Sequence, residues 1–190
     1  TAFKSISAGK ADIGMSSRRI KENEATNMEA AFGNLTKIGN EHIIGLDGLA
    51  IIVNQNNPIK SITTSTLAKI FAGEVTNWAQ IGGVDKPISI FARDTRSGTY
   101  DTFKNLVLKK FKKNLSANAQ RLESSSALST LVSQNEASIG FIGLNYIRHN
   151  KALSIAATAA TTPIFPTRFT IGTEDYSLSR RLYFYTSTQA

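Results

Sequence analysis

Two short stretches carry residues with the chemistry to hold an anion. One is Asp12-Ile13-Gly14-Met15-Ser16-Ser17-Arg18-Arg19, and the other is Phe91-Ala92-Arg93-Asp94-Thr95-Arg96-Ser97-Gly98-Thr99. Each reads as a strand running into a turn rich in hydroxyl groups, glycine and arginine, and then into a helix. The first N–H groups of a helix have no intrahelical partner, and the positive end of the helix dipole lies there. An anion accepts those hydrogen bonds directly. In the second stretch Ser97 and Thr99 add hydroxyl donors, Gly98 lets the backbone come close, and Arg93 offers a two-pronged contact. Taken alone, Ser97-Gly98-Thr99 is more commonly an ordinary helix N-cap, and Arg18 and Arg19 are more commonly surface charges. The recurrence of one design in a single chain brings the two readings level.

Other chemistries lack their residues. There is no Gly-x-x-x-x-Gly-Lys-Ser/Thr loop, and Ser97 does not sit in a Gly-x-Ser-x-Gly elbow. Cysteine is absent, which excludes disulfides and thiolate sites, and the two histidines, His42 and His149, stand in no metal-ligand spacing. No pair of carboxylates forms an acid–base couple, since Asp12, Asp47 and Asp94 all suit turns or caps. These residues describe a binding protein without cofactor, metal or catalytic group.

The elements that must position the two turns alternate between short strands and helices, the pattern of an α/β domain. Residues 2–8 read as a helical turn or two stopped by Gly9, residues 11–15 as a short buried strand, and residues 21–32 as a helix. An apolar strand over 43–53 ends at Asn54-Gln55-Asn56-Asn57-Pro58. Thr63 or Thr64 caps a helix whose face is Leu67, Ile70 and Phe71 and whose stop is Gly73. Pro87 precedes the alternating strand 88–92, which feeds the second turn and a helix with the stripe Phe103, Leu106, Val107 and Phe111. Ser124-Ser125-Ser126 caps a further helix, 139–144 is a glycine-punctuated strand, and 182–185 is another.

A chain of 190 residues with 41% hydrophobic and 19% charged residues buries a real core. No apolar run approaches the roughly 20 residues needed to span a bilayer. Twenty-two Lys and Arg against 14 Asp and Glu give +8, a balance that suits anionic partners without choosing among them. The densest basic run, Lys109-Lys110-Phe111-Lys112-Lys113, reads as the solvated C-terminal end of a helix, where lysines complement the dipole. It lacks the exposed aromatics of a nucleic-acid reader, so no nucleic-acid partner is expected.

Five ordered motifs then carry a family resemblance. They are Asp12-Ile13-Gly14-Met15-Ser16-Ser17-Arg18, Leu46-Asp47-Gly48-Leu49-Ala50, Ile70-Phe71-Ala72-Gly73-Glu74-Val75-Thr76-Asn77-Trp78, Arg93-Asp94-Thr95-Arg96-Ser97-Gly98-Thr99 and Ile139-Gly140-Phe141. Together they resemble the phosphate-binding proteins of phosphate ABC transporters (PstS-like), and the tail 173–183 is similar to the branch with an OmpA-like C-terminal domain. The resemblance implies a two-lobed α/β type II periplasmic binding protein fold, here truncated at both ends. It places one lobe in residues 1–46 plus 147–190 and the other in 47–146, with hinge segments near 47–53 and 140–146. It implies a receptor exported to the periplasm or cell envelope that captures inorganic phosphate between its lobes. The implied partners are an ABC permease and, through a domain outside these residues, peptidoglycan.

By the same resemblance Arg93, Ser97, Gly98 and Thr99 bind the phosphate oxygens, and Ser17, with Ser16 beside it, is the polar position of the first turn. Two positions depart from the family pattern. Thr95 stands where an acidic residue accepts the proton of hydrogen phosphate, and Arg96 stands where glycine is common. A carboxylate at that place repels fully ionised oxyanions, whereas a threonine donates as well as accepts. Weaker discrimination between phosphate and sulfate is therefore expected. The alternatives are a binder of another oxyanion and an envelope interaction or sensing protein built on the same scaffold.

Overall fold

The structure is a computed structural model, and it describes residues 2–8 and 10–186. In chain order its elements are α1 (Ala2–Ser7), β1 (Ile13–Ser16), α2 (Glu22–Phe32), β2 (Glu41–Val53), β3 (Ser61–Thr63), α3 (Thr64–Ala72) and a 3-10 turn at Trp78–Ile81. There follow β4 (Ser89–Arg93), α4 (Gly98–Phe103), β5 (Gln120–Leu122), α5 (Ser125–Gln134), β6 (Ser138–Gly143), β7 (Lys151–Ala152), β8 (Ser154–Ala156), α6 (Arg168–Gly172) and β9 (Ser179–Thr186). This is the mixed α/β architecture expected from the alternation of patterns. The expected helix stop at Gly9 lies outside the described residues.

The chain forms two compact units, one of residues 1–47 and 180–190 and a larger one of residues 48–179. The chain passes from the smaller unit to the larger one at Asp47 and Gly48. The chain passes back to the smaller unit at Ser179 and Arg180. Residues after β6 stay in the larger unit. β7 pairs with the end of β2 (Ile52↔Ala152), β8 pairs in parallel with β3 (Ile62↔Ile155), and Ile171, Tyr176 and Leu178 are buried in the larger core.

In the larger unit β2 pairs antiparallel with β6 from Leu49↔Gly143 to Val53↔Ile139, β6 pairs in parallel with β4, and β4 pairs in parallel with β5. α3 has the start and stop signals its sequence carries: the Thr63 side chain accepts from the Thr66 N–H, and Gly73 closes it at φ 78°. α4 continues without a break through a π-helical turn (Lys104–Leu108) and a 3-10 turn (Lys109–Phe111). That rod lays Phe103 on Phe141, stacked with centroids 4.0 Å apart, and edge-on to Phe71 at 4.6 Å. Aromatic pairs at such distances add about 0.5–1.5 kcal/mol beyond their buried area. Trp78 is fully buried and donates its indole N–H to the Ala137 carbonyl at 2.8 Å, so its one polar atom is satisfied. The Tyr176 hydroxyl donates to the Leu49 carbonyl at 2.9 Å, and burial pushes its ionisation far above the usual tyrosine range.

In the smaller unit β1 pairs antiparallel with β9 from Ile13↔Thr186 to Ser16↔Tyr183, and β9 is bonded to β2 on its other side. Phe3, Ile6, Ile20, Met28, Leu35, Tyr183 and Tyr185 form its core. The Tyr185 hydroxyl accepts from the Ile20 N–H at 2.8 Å and bonds the Glu41 carboxylate at 3.0 Å, while Arg19 grips the same carboxylate at 2.9 Å. At the crossing, Arg180 bonds Asp47 at 2.6 and 2.9 Å. β1 is not the buried strand its composition suggests. Strand alternation turns Gly14 inward and leaves Ile13 and Met15 exposed on the opposite face.

Candidate functional site

β4 ends at Arg93, and because β4 and β5 run in parallel both strands deliver their C-terminal ends to one edge of the sheet. Each then enters a helix at that edge, α4 after the loop 94–97 and α5 after Glu123 and Ser124. In sheets of this kind ligands bind outside the carboxyl ends of the strands. The register pairs Arg93 with Leu122, which brings the arginine side chain to the start of α5.

There its guanidinium has three anchors. Nε donates to the Leu122 carbonyl at 3.3 Å, one terminal nitrogen to Ser125 Oγ at 2.6 Å, and the other to the Glu123 carbonyl at 2.5 Å. A guanidinium carries five N–H groups. Three are engaged in orienting the side chain, which leaves one on each terminal nitrogen. Ser125 is 7% exposed, so its hydroxyl holds the arginine from within the fold.

The turn between β4 and α4 is shaped by Asp94. Its N–H donates to the Leu122 carbonyl, its carboxylate accepts from the Arg96 N–H at 2.9 Å, and its carbonyl accepts from the Ser97 N–H. Thr95 is exposed within this turn. Ser97 is buried and caps α4, accepting from the Tyr100 N–H at 3.4 Å. Gly98 and Thr99, both half-buried, are the first two helical residues and expose the positive end of the rod. Arg96 is exposed and pairs with Glu123 at 2.6 Å and more loosely with Asp94 at 3.5 Å. Arg121 lies over the Tyr100 ring at 4.8 Å and donates to the Arg93 carbonyl. Three arginines and the starts of two helices thus share this edge with three carboxylates, Asp94, Asp101 and Glu123, and the helix dipoles add a positive contribution there.

Arg93, Thr95, Ser97, Gly98 and Thr99 are therefore gathered in one turn of the larger unit, while Ser16 and Ser17 belong to the smaller one. Ser16 donates its hydroxyl to the Arg18 carbonyl at 2.7 Å and so closes the first turn on itself. The Ser17 hydroxyl is half-buried and has no hydrogen bond among the described residues. Arg18 is not a ligand-facing cation. It makes a two-pronged ion pair with Glu24, both contacts at 2.7 Å, and stacks over Phe3 at 5.2 Å. That pairing holds the Glu24 carboxyl below its usual range, against the opposing effect of burial.

Sequence reasoning missed Ser125 and Glu123. The Ser124-Ser125-Ser126 cluster signals a cap, and Ser124 does cap α5 through the Ala127 N–H at 3.0 Å. Nothing local announces that the next serine holds an arginine from 32 residues earlier. Among the described residues no group of His, Asp or Glu is placed to hold a metal ion.

A family model described as a PBP superfamily domain matches residues 1–190. The phosphate-binding protein PstS of Borreliella burgdorferi is 34% identical over 156 residues, which cover 78% of this chain and 55% of that protein. Protein SphX of Synechococcus elongatus is 34% identical over 99% of this chain and 57% of its own length. The chain thus spans just over half the length of these curated relatives. Among solved structures, an ABC-type phosphate transport receptor from Vibrio cholerae matches with a TM-score of 0.77 and 31% identity, over 99% of this chain and 72% of that one. A Clostridium perfringens protein solved with bound phosphate matches with a TM-score of 0.76 and 30% identity, over 99% and 71%. By its sequence along the whole length and by its fold, the chain belongs to the PBP superfamily.

Proposed function

We propose that this chain is the ligand-binding part of an extracytoplasmic solute-binding protein that captures inorganic phosphate for an ABC-type permease. The observation that carries the reading is Arg93, fixed by the start of α5 with two N–H groups left over, beside the Ser97-Gly98-Thr99 start of α4. The names of its relatives support the same ligand and the same kind of transporter. In this reading Arg93, Ser97, Gly98 and Thr99 hold the oxygens, and Ser17, with Ser16 shaping its turn, adds a hydroxyl. The chain binds and releases its ligand without changing it, and it works outside the cytoplasmic membrane.

Thr95 favours a broader oxyanion selectivity than a carboxylate at its place would give. A threonine hydroxyl turns its proton or its lone pairs toward a ligand as required, so sulfate meets no fixed acceptor there. Isothermal titration of phosphate, and then of sulfate, tests both statements. Saturable heat with phosphate that disappears in Arg93→Ala is the expected result. Binding that survives Arg93→Ala undiminished would overturn the site, and no heat with either anion would overturn the function.

A further inference from the structure

The rod that begins at the proposed anion turn ends in a second concentration of charge. Residues 104–113 include five lysines and no acidic residue. Lys109, Lys110 and Lys112 are exposed, Lys104 is half-buried, and Lys113 is paired with Glu74 at 2.5 Å. Among the described residues the other four lysines have no ion pair, and Glu74 is the carboxylate drawn to the group. The exposed Lys69 lies on α3, whose C-terminal end meets this one, since the Glu74 N–H bonds the Lys69 carbonyl and the Ser116 N–H bonds the Phe71 carbonyl. Lys112 stands at φ 55°, a left-handed conformation that turns the chain sharply at the end of the rod. The rod runs from Gly98 to Phe111, on the order of 20 Å at 1.5 Å per residue, so this group is remote from the turn at 93–99.

We propose that this lysine-rich end of the larger unit is a docking surface for an anionic lipid bilayer. Its composition selects that partner over the other polyanions. Every cation in the rod's final turns is lysine, a hydrated point charge on a flexible stem, which suits attraction to a sheet of headgroups better than fork-like recognition of fixed carboxylates. The one aromatic among them, Phe111, is half-buried under the Lys110 ammonium at 5.8 Å, so it offers no ring for stacked bases. Lys69 stands in the last turn of α3 and Lys109 and Lys110 in the last turn of the rod, so helix dipoles offset part of their charge without giving it a partner. A protein that hands a solute to a membrane permease gains residence at the membrane from such a surface. The docking surface is independent of whether the turn at 93–99 binds phosphate.

The test is sedimentation of the chain with vesicles of phosphatidylglycerol and, separately, of phosphatidylcholine. The expected result is binding to the first and not the second, released at high salt because the attraction is screened within a Debye length. Lys109→Gln, Lys110→Gln and Lys112→Asn together are expected to lower the partition coefficient about 100-fold, at about fivefold per lysine. Asparagine is chosen at 112 because it tolerates a positive φ. The same triple variant is expected to keep the parent's circular dichroism and phosphate titration. Equal partitioning of parent and variant, or no binding to phosphatidylglycerol at low salt, would overturn the proposal. Binding to a soluble polyanion such as heparin, with none to the vesicles, would overturn the lipid assignment.

Discussion

Ser125→Ala separates an arginine that is positioned for a ligand from one that merely decorates a loop. Two of the three anchors of Arg93 are backbone carbonyls, which no substitution removes, and the third is the Ser125 hydroxyl at 2.6 Å. A hydrogen bond to a charged group contributes about 1.5–3 kcal/mol. Deleting one of three leaves the guanidinium in place but free to pivot. We expect about 1–2 kcal/mol of that loss to appear in binding, which raises the phosphate Kd about 5- to 30-fold. Stability should move much less, because Ser124 keeps its cap on the Ala127 N–H. Titration calorimetry reads the affinity, and a melt of the same sample reads the fold. Ser125→Thr keeps the hydroxyl and should restore most of the affinity, which loss of packing alone would not predict. An unchanged Kd in Ser125→Ala would refute the positioning argument. A tighter Kd would refute it in a more informative way, by showing that the anchors hold Arg93 back from the ligand.

Thr95→Asp is expected to sharpen selectivity, lowering sulfate affinity by about fivefold or more, on the order of 1–3 kcal/mol for a carboxylate facing an unprotonated oxygen. Competition titrations check it, and equal selectivity before and after would refute it. Gly140→Ala should destabilise the larger unit by about 1–3 kcal/mol through overpacking. A Cβ there would lie 2.5 Å from a Leu128 methyl and 3.4 Å from the Phe91 carbonyl, and a urea titration should show the lower midpoint. Glu24 adds an acid limb to the pH–stability profile. Its hydrogen bond from Arg18 lowers its ionisation in the folded state, so its contribution is present above the usual carboxylate range and is lost as pH falls through the folded value. Arg18→Gln should flatten that limb in thermal melts run from neutral pH downward, and an unchanged profile would count against the pairing.

The alternation of 88–92, the Pro87 before it and the Ser-Gly-Thr after it made β4, the turn and the start of α4 legible from sequence, because all of those signals are local. The faces of β1 were not legible. Ile13 and Met15 read as core on composition, but a strand of four residues is too short to show which of its two faces is packed. The passage back to the smaller unit at Ser179 and Arg180 is not legible for a similar reason. β7 has two residues and β8 has three, lengths that carry no periodicity, and the partner of β8 is β3, some ninety residues earlier in the chain.

The candidate site divides along the same line. Its donors Ser97, Gly98 and Thr99 are contiguous, and a chain that caps a helix with them advertises an anion site or a cap equally well. What separates the two is the direction of Arg93, and that direction comes from a parallel register, Arg93 opposite Leu122, which no local pattern encodes. The register sets two helix starts side by side on one edge and gives the arginine the carbonyls of the second as a cradle. An ordinary cap needs none of this, since Ser97 satisfies its helix unaided. A buried serine committed to an arginine that still has two donors to offer is therefore what supports the binding role proposed for the turn.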